Sequence, residues 1–406
     1  CSVSQGYQKR NVLLDILGNI SISGLMDNMH HMRIEDLEVK LYQHLQQKRY
    51  LIVMDDVWGT ESWSDLQSSL PNDGNGSRIL ITSRLHDVAL KVKPDSDPLC
   101  LRLLSEDESW KLLRMKILHG GCSEELQEVG KKIAKRCEGL PLAIVAVAGL
   151  LARTEKNQDR WERIAESLSS KINDDPQSRC KDILQLSYNH LPDRLKACFL
   201  YMGAFVIDKD IPVRKLTRLW IAEGFIQGTK SLEDIAEAYL MDLIDRNLVL
   251  LFKRSAMGGV KTCRVHDILH DFCVAKATEE NFLQLITRYD EPYAMSDDSD
   301  YGADSYDYYH PNPVTYERHR LFFCLNRKHF VKSRPSSSCA RSLILFPTCD
   351  TYPRHPYDIS FIALHFKLLR VLDLENINMG VCFPTGIELL IQLTYLAVSG
   401  DIDSVP

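Results

Sequence analysis

The chain has 406 residues, of which 45% are hydrophobic and 26% charged, a composition typical of globular proteins and unlike that of disordered or fibrous ones. This length exceeds what one hydrophobic core usually organises, so we expect two to four domains. The formal net charge is −6, and residues 290–313 alone contain seven acidic residues and no Lys or Arg. The rest of the chain is nearly balanced, which disfavours a nucleic-acid or membrane surface at this level.

The cysteines and the apolar segments indicate a cytoplasmic protein. None of the 12 cysteines forms a C-x-x-C pair, which disfavours a zinc site or a small disulfide scaffold, and scattered thiols fit the reducing cytosol. The most apolar run, 139–152, contains a proline and is shorter than the roughly 20 residues of a transmembrane helix. No secretory signal opens the sequence, which begins with Cys1. We therefore expect a soluble cytoplasmic protein and a piece of a longer chain.

Two short apolar runs predict neighbouring strands of an α/β sheet. Leu51–Met54 and Ile79–Ile81 are too short for helices and are bounded by polar residues, as fully buried strands are. Between them, apolar residues recur at helical spacing: Trp63, Leu66 and Leu70. Strand, helix and strand imply a right-handed crossover and a parallel sheet, within a domain that we place at residues 1–104.

Helices predominate from residue 105. Ser105 and Glu108 form a capping-box pair, and Ser123 is a second predicted N-cap. Pro141 marks the predicted start of the next helix, which is almost wholly apolar. Proline is favoured at the first position of a helix because the N–H that it lacks would have no partner there. These signals predict a helical domain over residues 105–175.

Residues 176–288 show the pattern of a winged-helix domain. Four predicted helices are followed by two strand-like segments, 248–252 and 260–265, joined by a turn with two glycines. His266 and Asp267 then open a further helix.

The last part of the chain combines an acidic linker with a repeat. Residues 289–314 have too few aliphatic side chains and too much like charge to pack, which predicts a disordered linker. In residues 315–406 one apolar spacing recurs with offsets of 29 and 24 residues: Ala340-x-x-Leu343-x-Leu345, Leu369-x-x-Leu372-x-Leu374 and Leu393-x-x-Leu396-x-Val398. This spacing predicts the start of a leucine-rich-repeat solenoid.

Acidic residues follow the first predicted strand, and an arginine follows the second. Because the carboxyl ends of parallel strands face the ligand crevice, Asp55 and Asp56 can hold Mg²⁺ through water and orient a hydrolytic water. Arg84 can reach a terminal phosphate at the same edge. The alternative is a turn whose acid caps the next helix, with Arg84 as a solvated surface residue.

Two other segments can contact a nucleotide. Gly139-Leu140-Pro141-Leu142 can present an apolar wall to a flat base because proline fixes the backbone and leaves no competing donor. The alternative is an ordinary helix start packed in the core. His266 can donate to a phosphate oxygen, or it can satisfy a local backbone group.

A phosphate-binding loop is missing from the sequence. Residues 257–262 approach the G-x-x-x-x-G-K-[ST] pattern, with Lys261 and Thr262 at its last two positions. The two glycine positions then fall on Ser255 and Val260, and the segment lies in the predicted hairpin. No other segment supplies the pattern, so the phosphate affinity of such a loop is not expected of this chain.

Seven motifs stand in order along the chain. They are residues 1–5, 51–58, 76–84, 101–110, 137–143, 198–201 with 219–226, and 265–267. Together they resemble the NB-ARC family of plant intracellular immune receptors, the nucleotide-binding leucine-rich-repeat disease-resistance proteins. In that family 51–58 corresponds to the Walker B motif and 76–84 to the sensor strand. The acidic linker and the Leu-Trp-Ile-Ala-Glu-Gly run most resemble the coiled-coil class, which includes late-blight resistance proteins.

The resemblance implies an α/β parallel-sheet nucleotide-binding domain, P-loop NTPase-like and incomplete, then α-helical and winged-helix domains and the first leucine-rich repeats. By analogy Asp55 would sit at Mg²⁺, Asp56 would be the catalytic residue that positions the hydrolytic water, and Arg84 would sense the terminal phosphate.

Two further roles follow from the same resemblance. Leu140 and Pro141 would line the adenine site, with Pro141 packed on the base. His266 would hold the β-phosphate of ADP and lock the winged helix against the nucleotide domain.

Members of this family are switches, in which ADP holds a closed state and exchange for ATP permits opening, self-association and defence signalling. The implied cofactors are ADP or ATP with Mg²⁺, and the implied partner is a pathogen effector or a guarded host protein. A complete member would be a slow ATPase at most, and we expect no enzymatic activity from the chain as given.

Two other functions stay open on the sequence. A winged-helix DNA-binding regulator would need a positive face, but residues 180–275 carry 13 basic and 12 acidic residues without a basic stripe. A nucleotide-independent scaffold would dock the acidic linker on nearby cations through exposed ion pairs of about 0 to 1 kcal/mol each. Those cations are Arg318, Arg320, Arg327, Lys328, Lys332 and Arg334.

Overall fold

The computed structural model divides into two compact units, residues 1–101 and residues 102–406 without 349–354. It describes residues 1, 3, 8–20, 29, 32–92, 97–117, 123–154, 157–169, 176–207, 209–229, 231–255, 258–287, 315–325, 327–346, 357–380 and 386–400. The predicted acidic linker, 289–314, lies outside these residues, as do Ser2, Ser4 and Gln5 of the first motif and Met257 of the hairpin. Among the described helices, none has the length and apolar character that crossing a membrane requires.

The first unit contains the predicted strand, helix and strand. β1 (Leu51–Met54) and β2 (Arg78–Ile81) pair in parallel. The described helices of this unit are α1 (Lys9–Ile20), α2 (Ile34–Leu45), α3 (Thr60–Gln67) and α4 (His86–Val92). The crossover is confirmed, although α3 ends at Gln67 and does not reach Leu70.

The prediction that both strands are fully buried was wrong. Side chains alternate along β1, so that Ile52 and Met54 pack with the helices while Leu51 is 67% exposed. Leu80 of β2 is 54% exposed. The described helices cover one face of this sheet, and periodicity in a four-residue strand cannot tell whether the second face is covered.

Four helices open the second unit, of which the first three were predicted and the fourth was not. They are α5 (Glu106–Ile117), α6 (Glu124–Arg136), α7 (Pro141–Ala152) and α8 (Gln158–Ser169). The capping box is formed, since Ser105 N–H donates to Glu108 Oε2 (2.8 Å) and Glu108 N–H donates to Ser105 Oγ (3.2 Å). Ser123 Oγ likewise accepts from Leu126 N–H (3.4 Å), and Pro141 occupies the first position of α7.

The winged-helix region follows. Its helices are α9 (Pro176–Asn189), α10 (Asp193–Tyr201), α11 (Val213–Ala222), α12 (Leu232–Asp245) and α13 (Asp267–Glu279). The predicted hairpin is β4 (Leu250–Arg254) with β5 (Val260–Arg264), and β5 also pairs with a short strand, β3 (Ile211–Pro212). β3 was not predicted, because a strand of two residues has no detectable periodicity.

A five-stranded parallel sheet completes the second unit. Its strands lie side by side in chain order: β6 (Gln284–Ile286), β7 (Arg320–Phe323), β8 (Ser342–Leu345), β9 (Val371–Asn378) and β10 (Tyr395–Ser399). Short helices α14 (Arg327–Ser333) and α15 (Phe361–His365) lie between strands. The register pairs Leu343 with Leu372 and Leu372 with Leu396, which are the offsets of 29 and 24 residues seen in the sequence. β6 precedes residues 289–314 in the chain and pairs with β7, which follows them.

The five-stranded sheet and the winged-helix region share one hydrophobic core. Strand side chains alternate, so that Leu321 and Phe323 pack with α14 and α15 residues, whereas Phe322 belongs to the winged-helix core. Ile344 and Val371 face the same way as Phe322. Both faces of the sheet are therefore buried along β7 to β9.

Helix α7 lies so close to the end of α12 that the backbone at Gly149 is in contact with the backbone at Arg246. A Cβ atom on Gly149 would lie 1.9 Å from the carbonyl oxygen of Arg246. Next to it, Asn247 Nδ2 donates to the Val145 carbonyl (3.2 Å). Only a residue without a side chain permits this approach.

We predict that Gly149→Ala destabilises the second unit. Alanine is the better helix former by about 1 kcal/mol, but the clash forces α7 and α12 apart and should lower the free energy of unfolding by about 1–3 kcal/mol net. Urea unfolding titrations measure this decrease in the free energy of unfolding. Gly259→Ala is the control, because the nearest atom to its Cβ would be Ser255 Oγ at 3.6 Å. Equal unfolding of the two variants would contradict the prediction.

A buried histidine makes the stability of this unit depend on pH. His270 is 8% exposed, and its Nε2 lies 2.8 Å from the Phe205 carbonyl oxygen. Burial lowers the pKa of His270 below the ordinary value of 6.5, although the carboxylates of Asp271 and Asp267 act in the opposite direction. The unfolded histidine takes up a proton near pH 6.5, whereas the folded one does so only at lower pH. Its stabilising contribution is therefore complete above pH 6.5 and is lost as the pH falls.

We predict a weaker acid sensitivity in His270→Gln. Between pH 6.5 and 5 the wild-type protein should lose unfolding free energy with an extra slope of up to about 1.4 kcal/mol per pH unit relative to the variant. Denaturant titrations across this range measure the difference. His190→Gln, which removes an exposed histidine, should follow the wild type. Parallel curves for all three proteins would refute the role of His270.

Candidate functional site

The carboxyl ends of β1 and β2 bring acidic and hydroxyl groups together. Asp55 N–H donates to the Cys1 carbonyl (3.0 Å) and Val3 N–H donates to the Asp55 carbonyl (2.9 Å), so Cys1 and Val3 lie beside the end of β1. The Thr82 hydroxyl donates to Asp55 Oδ1 and accepts from Asp56 N–H (2.9 Å). Thr82, directly after β2, thus joins the two acids.

Asp56 forms a two-pronged ion pair with Arg84. Arg84 Nε lies 3.1 Å from Asp56 Oδ1 and Nη2 lies 3.2 Å from Oδ2. Trp58 Nε1 donates to Oδ2 (2.8 Å), and the Arg84 guanidinium lies 4.9 Å from the centre of a Trp58 ring. Asp56 has a φ of 55°, in the left-handed region. Both oxygens of Asp56 are therefore engaged, and Arg84 already faces a carboxylate.

Asp55 fits the predicted role at a magnesium ion better than Asp56 does. Asp55 is exposed, and within the described residues its Oδ2 accepts no hydrogen bond. Mg²⁺ is commonly held by one or two carboxylates together with water and phosphate oxygens, so one available carboxylate oxygen is compatible with it. Among the described residues no group of three or more His, Cys, Asp or Glu side chains could hold a metal by itself.

Leu140 and Pro141 stand together at the start of α7. Gly139 has a φ of +73°, and its carbonyl accepts from Leu104 N–H (3.0 Å). A Cβ on Gly139 would meet the Leu104 carbonyl at 2.3 Å, so glycine is needed for this approach. Leu140 packs partly on the core and Pro141 is exposed. The exposed proline ring is available to a flat apolar ligand.

His266 is the N-cap of α13. Its Nδ1 accepts from Ile268 N–H (3.3 Å) and lies 3.3 Å from Asp267 Oδ1, and 40% of its side chain is exposed. An imidazole that accepts at Nδ1 carries its proton on Nε2 when neutral. Within the described residues Nε2 has no hydrogen-bond partner, so the cap aims a donor away from the helix.

Sequence reasoning found the acids and Arg84 but missed the two residues that organise them. Thr82 bridges Asp55 and Asp56, and Trp58 binds Asp56 and lies against Arg84. A sequence signal for Thr82 exists, because a residue directly after the second parallel strand must lie at the same edge as the acids. Trp58 follows the acids by two residues, but only the fold turns its indole back onto them.

The cations invoked by the two alternative functions are partly occupied. On the wing, Asp210 pairs with Lys253 (2.8 Å) and Arg264 (2.6 Å), which reduces the positive potential that a DNA-binding wing needs. In the basic stretch proposed as a docking surface, Arg320 pairs with Glu223 (2.7 Å) and Arg327 is 4% exposed. These two cations are not available to an acidic linker.

Comparisons with known proteins match two domains and several relatives. Residues 1–122 match the NB-ARC domain, and residues 205–273 match the disease resistance protein winged helix domain. The whole chain is 40% identical over 417 residues to the putative late blight resistance protein homolog R1B-23 of Solanum demissum, of which it covers 31%. It is 39% identical over 418 residues to late blight resistance protein R1-A of the same species, of which it covers 30%.

The chain thus spans about a third of the length of these relatives, and its similarity to them extends from its first residue to its last. The predicted α/β part and winged-helix part lie in the same order along the chain as the two matched domains. The chain therefore contains an NB-ARC domain and a disease resistance protein winged helix domain, and it is similar along its whole length to late blight resistance proteins.

Proposed function

We propose that this chain is the central part of an intracellular plant immune receptor whose state is set by a bound adenine nucleotide. The observation that carries the nucleotide half is the edge of β1 and β2, where an available Asp55 oxygen and the Arg84 guanidinium lie within one hydrogen-bonded group. That edge lies in the segment that matches the NB-ARC domain. The relatives named for late blight resistance support the immune half.

The Asp56–Arg84 pair gives this edge two alternative states. In the state described, the two charges neutralise one another. With ATP bound, Arg84 would exchange Asp56 for the terminal phosphate, whose higher negative charge competes well for a guanidinium. Asp56 would then accept a hydrogen bond from the hydrolytic water, and Asp55 would reach Mg²⁺ through water. Such a site turns over slowly, because its catalytic acid is paired in the resting state.

The helical and winged-helix regions hold further residues that we propose to contact nucleotide. Pro141 would pack on adenine beside Leu140, and His266 would donate from Nε2 to the β-phosphate of ADP. A ligand that binds one conformation of a protein better than another favours that conformation. Exchange of ADP for ATP would change that preference, and the outcome would be self-association and a defence response.

Recognition would be the task of the repeats. The five-stranded sheet, with strands in chain order and a register equal to the repeat offsets, would be the first part of a leucine-rich-repeat solenoid. A pathogen effector or a guarded host protein is the proposed partner. The receptor would act in the cytoplasm.

We predict that ADP copurifies with a version of the protein lengthened upstream through a G-x-x-x-x-G-K-[ST] loop and that the chain as given retains little nucleotide. The loop supplies the lysine and the backbone donors that hold the phosphates, and neither is present here. Nucleotide released by denaturation can be identified by chromatography. A loop lysine to alanine variant is the control, and nucleotide-free lengthened protein would count against the proposal.

We predict that the two roles of His266 can be separated. His266→Ala should lower the free energy of unfolding by about 1 kcal/mol because the α13 cap is lost, whereas His266→Asn keeps a capping side chain and should be nearly neutral. In the lengthened protein both variants should bind ADP more weakly, since neither offers the imidazole donor. Unfolding titrations and ADP binding by calorimetry measure the two effects. Full ADP affinity in His266→Asn would show that His266 serves only as a cap.

A further inference from the structure

The Leu-Trp-Ile-Ala-Glu-Gly run, residues 219–224, ends in a buried acid that the proposed function does not use. The Glu223 side chain is 3% exposed. Its Oε2 accepts from Arg320 Nε (2.7 Å) and its Oε1 accepts from the Ser342 hydroxyl (2.6 Å). Glu223 follows α11 of the winged-helix region, whereas Arg320 and Ser342 begin β7 and β8 of the five-stranded sheet. The carboxylate thus joins these two parts of the second unit.

Arg320 extends the contact to a third element. Its Nη1 donates to the Phe282 carbonyl (3.2 Å), just beyond the end of α13. Its guanidinium lies 4.4 Å from the ring centre of Phe282 and 5.0 Å from that of Phe225, and its side chain is 19% exposed. One cation therefore connects β7, the end of α11 and the end of α13, and α13 begins next to His266.

Aromatic rings pack beside this group and shield the Glu223 carboxylate. The Phe225 ring, which lies against Arg320, is 5.6 Å from the ring of Tyr201, and the Tyr201 ring is 5.4 Å from that of Phe322. Burial, together with the nearby Glu223 carboxylate, raises the pKa of Tyr201 well above its ordinary value. The Glu223–Arg320 pair is therefore a desolvated one, whose partners cannot separate unless each acquires a new partner or water.

A second charged contact lies further along the same junction. Lys215 Nζ of α11 is 2.6 Å from Asp373 Oδ2 and 2.9 Å from Glu375 Oε2 of β9. Asp373 is fully buried. β7 and β9 therefore carry charged side chains on the sheet face that α11 covers. Those of β9 pair with Lys215 of α11, and Arg320 of β7 pairs with Glu223, directly after α11.

We propose that Glu223 is the positioning residue that holds the five-stranded sheet on the winged-helix region and couples the sheet to α13. A displacement of the sheet away from α11 separates Arg320 from Glu223 and leaves the carboxylate buried without a charged partner. It also carries along β6 and the nearby Phe282, which follow the end of α13 in the chain and stay bonded to β7 and Arg320. Movement of the repeats is thereby transmitted to the helix whose N-cap is His266. The mechanical coupling needs no nucleotide, whereas its regulatory meaning rests on the proposed nucleotide function.

Amide hydrogen exchange of the chain as given, without nucleotide, tests the coupling. In Glu223→Gln, exchange should rise about tenfold or more in β7 and β8 and also at residues 267–270, because removing one partner of a buried pair opens the junction. Ser342→Ala removes a single hydrogen bond and should raise exchange in the same segments by about threefold. Asp210→Asn is the matched control, since Asp210 bonds only Lys253 and Arg264 of the wing among the described residues. It should leave β7, β8 and residues 267–270 unchanged.

Two results would overturn the proposal. Unchanged exchange in β7 and β8 of a folded Glu223→Gln protein would show that Glu223 does not hold the sheet, and faster exchange there without any change at residues 267–270 would show that α13 is not coupled to it. If Glu223→Gln does not fold, Ser342→Ala decides by the same criteria. ADP binding is measured separately on the lengthened protein, so a failure of the nucleotide proposal and a failure of the coupling remain distinguishable.

Discussion

One buried carboxylate joins the winged-helix region of the second unit to its five-stranded sheet. Glu223 lies where α11 ends, and its two oxygens bind residues 97 and 119 positions further along the chain. Hydrophobic burial brings the sheet and the winged-helix region together, but apolar contacts alone tolerate sliding. A desolvated ion pair with directional hydrogen bonds does not, so it fixes which strand meets which helix.

The Asp56–Arg84 pair differs from this junction in exposure and therefore in behaviour. Its two side chains are 25% and 28% exposed, so water can replace either partner. Exposed pairs contribute at most about 1 kcal/mol, and a ligand of higher charge can compete with them. A carboxylate–guanidinium ion pair is thus suited to a permanent contact when it is buried, as in the second unit, and to an exchangeable one when it is accessible to water, as at the edge of β1 and β2.

Two histidines, one at the N-cap of α13 and one in its first turns, show that the role of an imidazole also depends on its exposure. His266 is 40% exposed and uses Nδ1 as a cap, which leaves a donor facing outward. One turn later, His270 is buried against the Phe205 carbonyl, and its pKa is lowered. The first is suited to meet a ligand, whereas the second is suited to stay neutral inside the core.

The sequence by itself determined two kinds of feature: helix starts, whose hydrogen bonds close within a few residues, and the spacing of parallel strands, which a recurring apolar pattern encodes. The Ser105–Glu108 capping box and the helix start at Pro141 are of the first kind, and the 29- and 24-residue offsets are of the second. Only the tertiary structure decided which distant groups are in contact, such as Arg84 with Asp56 and Trp58, and Arg320 with Glu223. It also decided that one face of β1 is exposed. The physical reason is that local signals act through short-range backbone geometry, whereas the partner of a charged or apolar side chain depends on which elements pack together and on how much water they exclude.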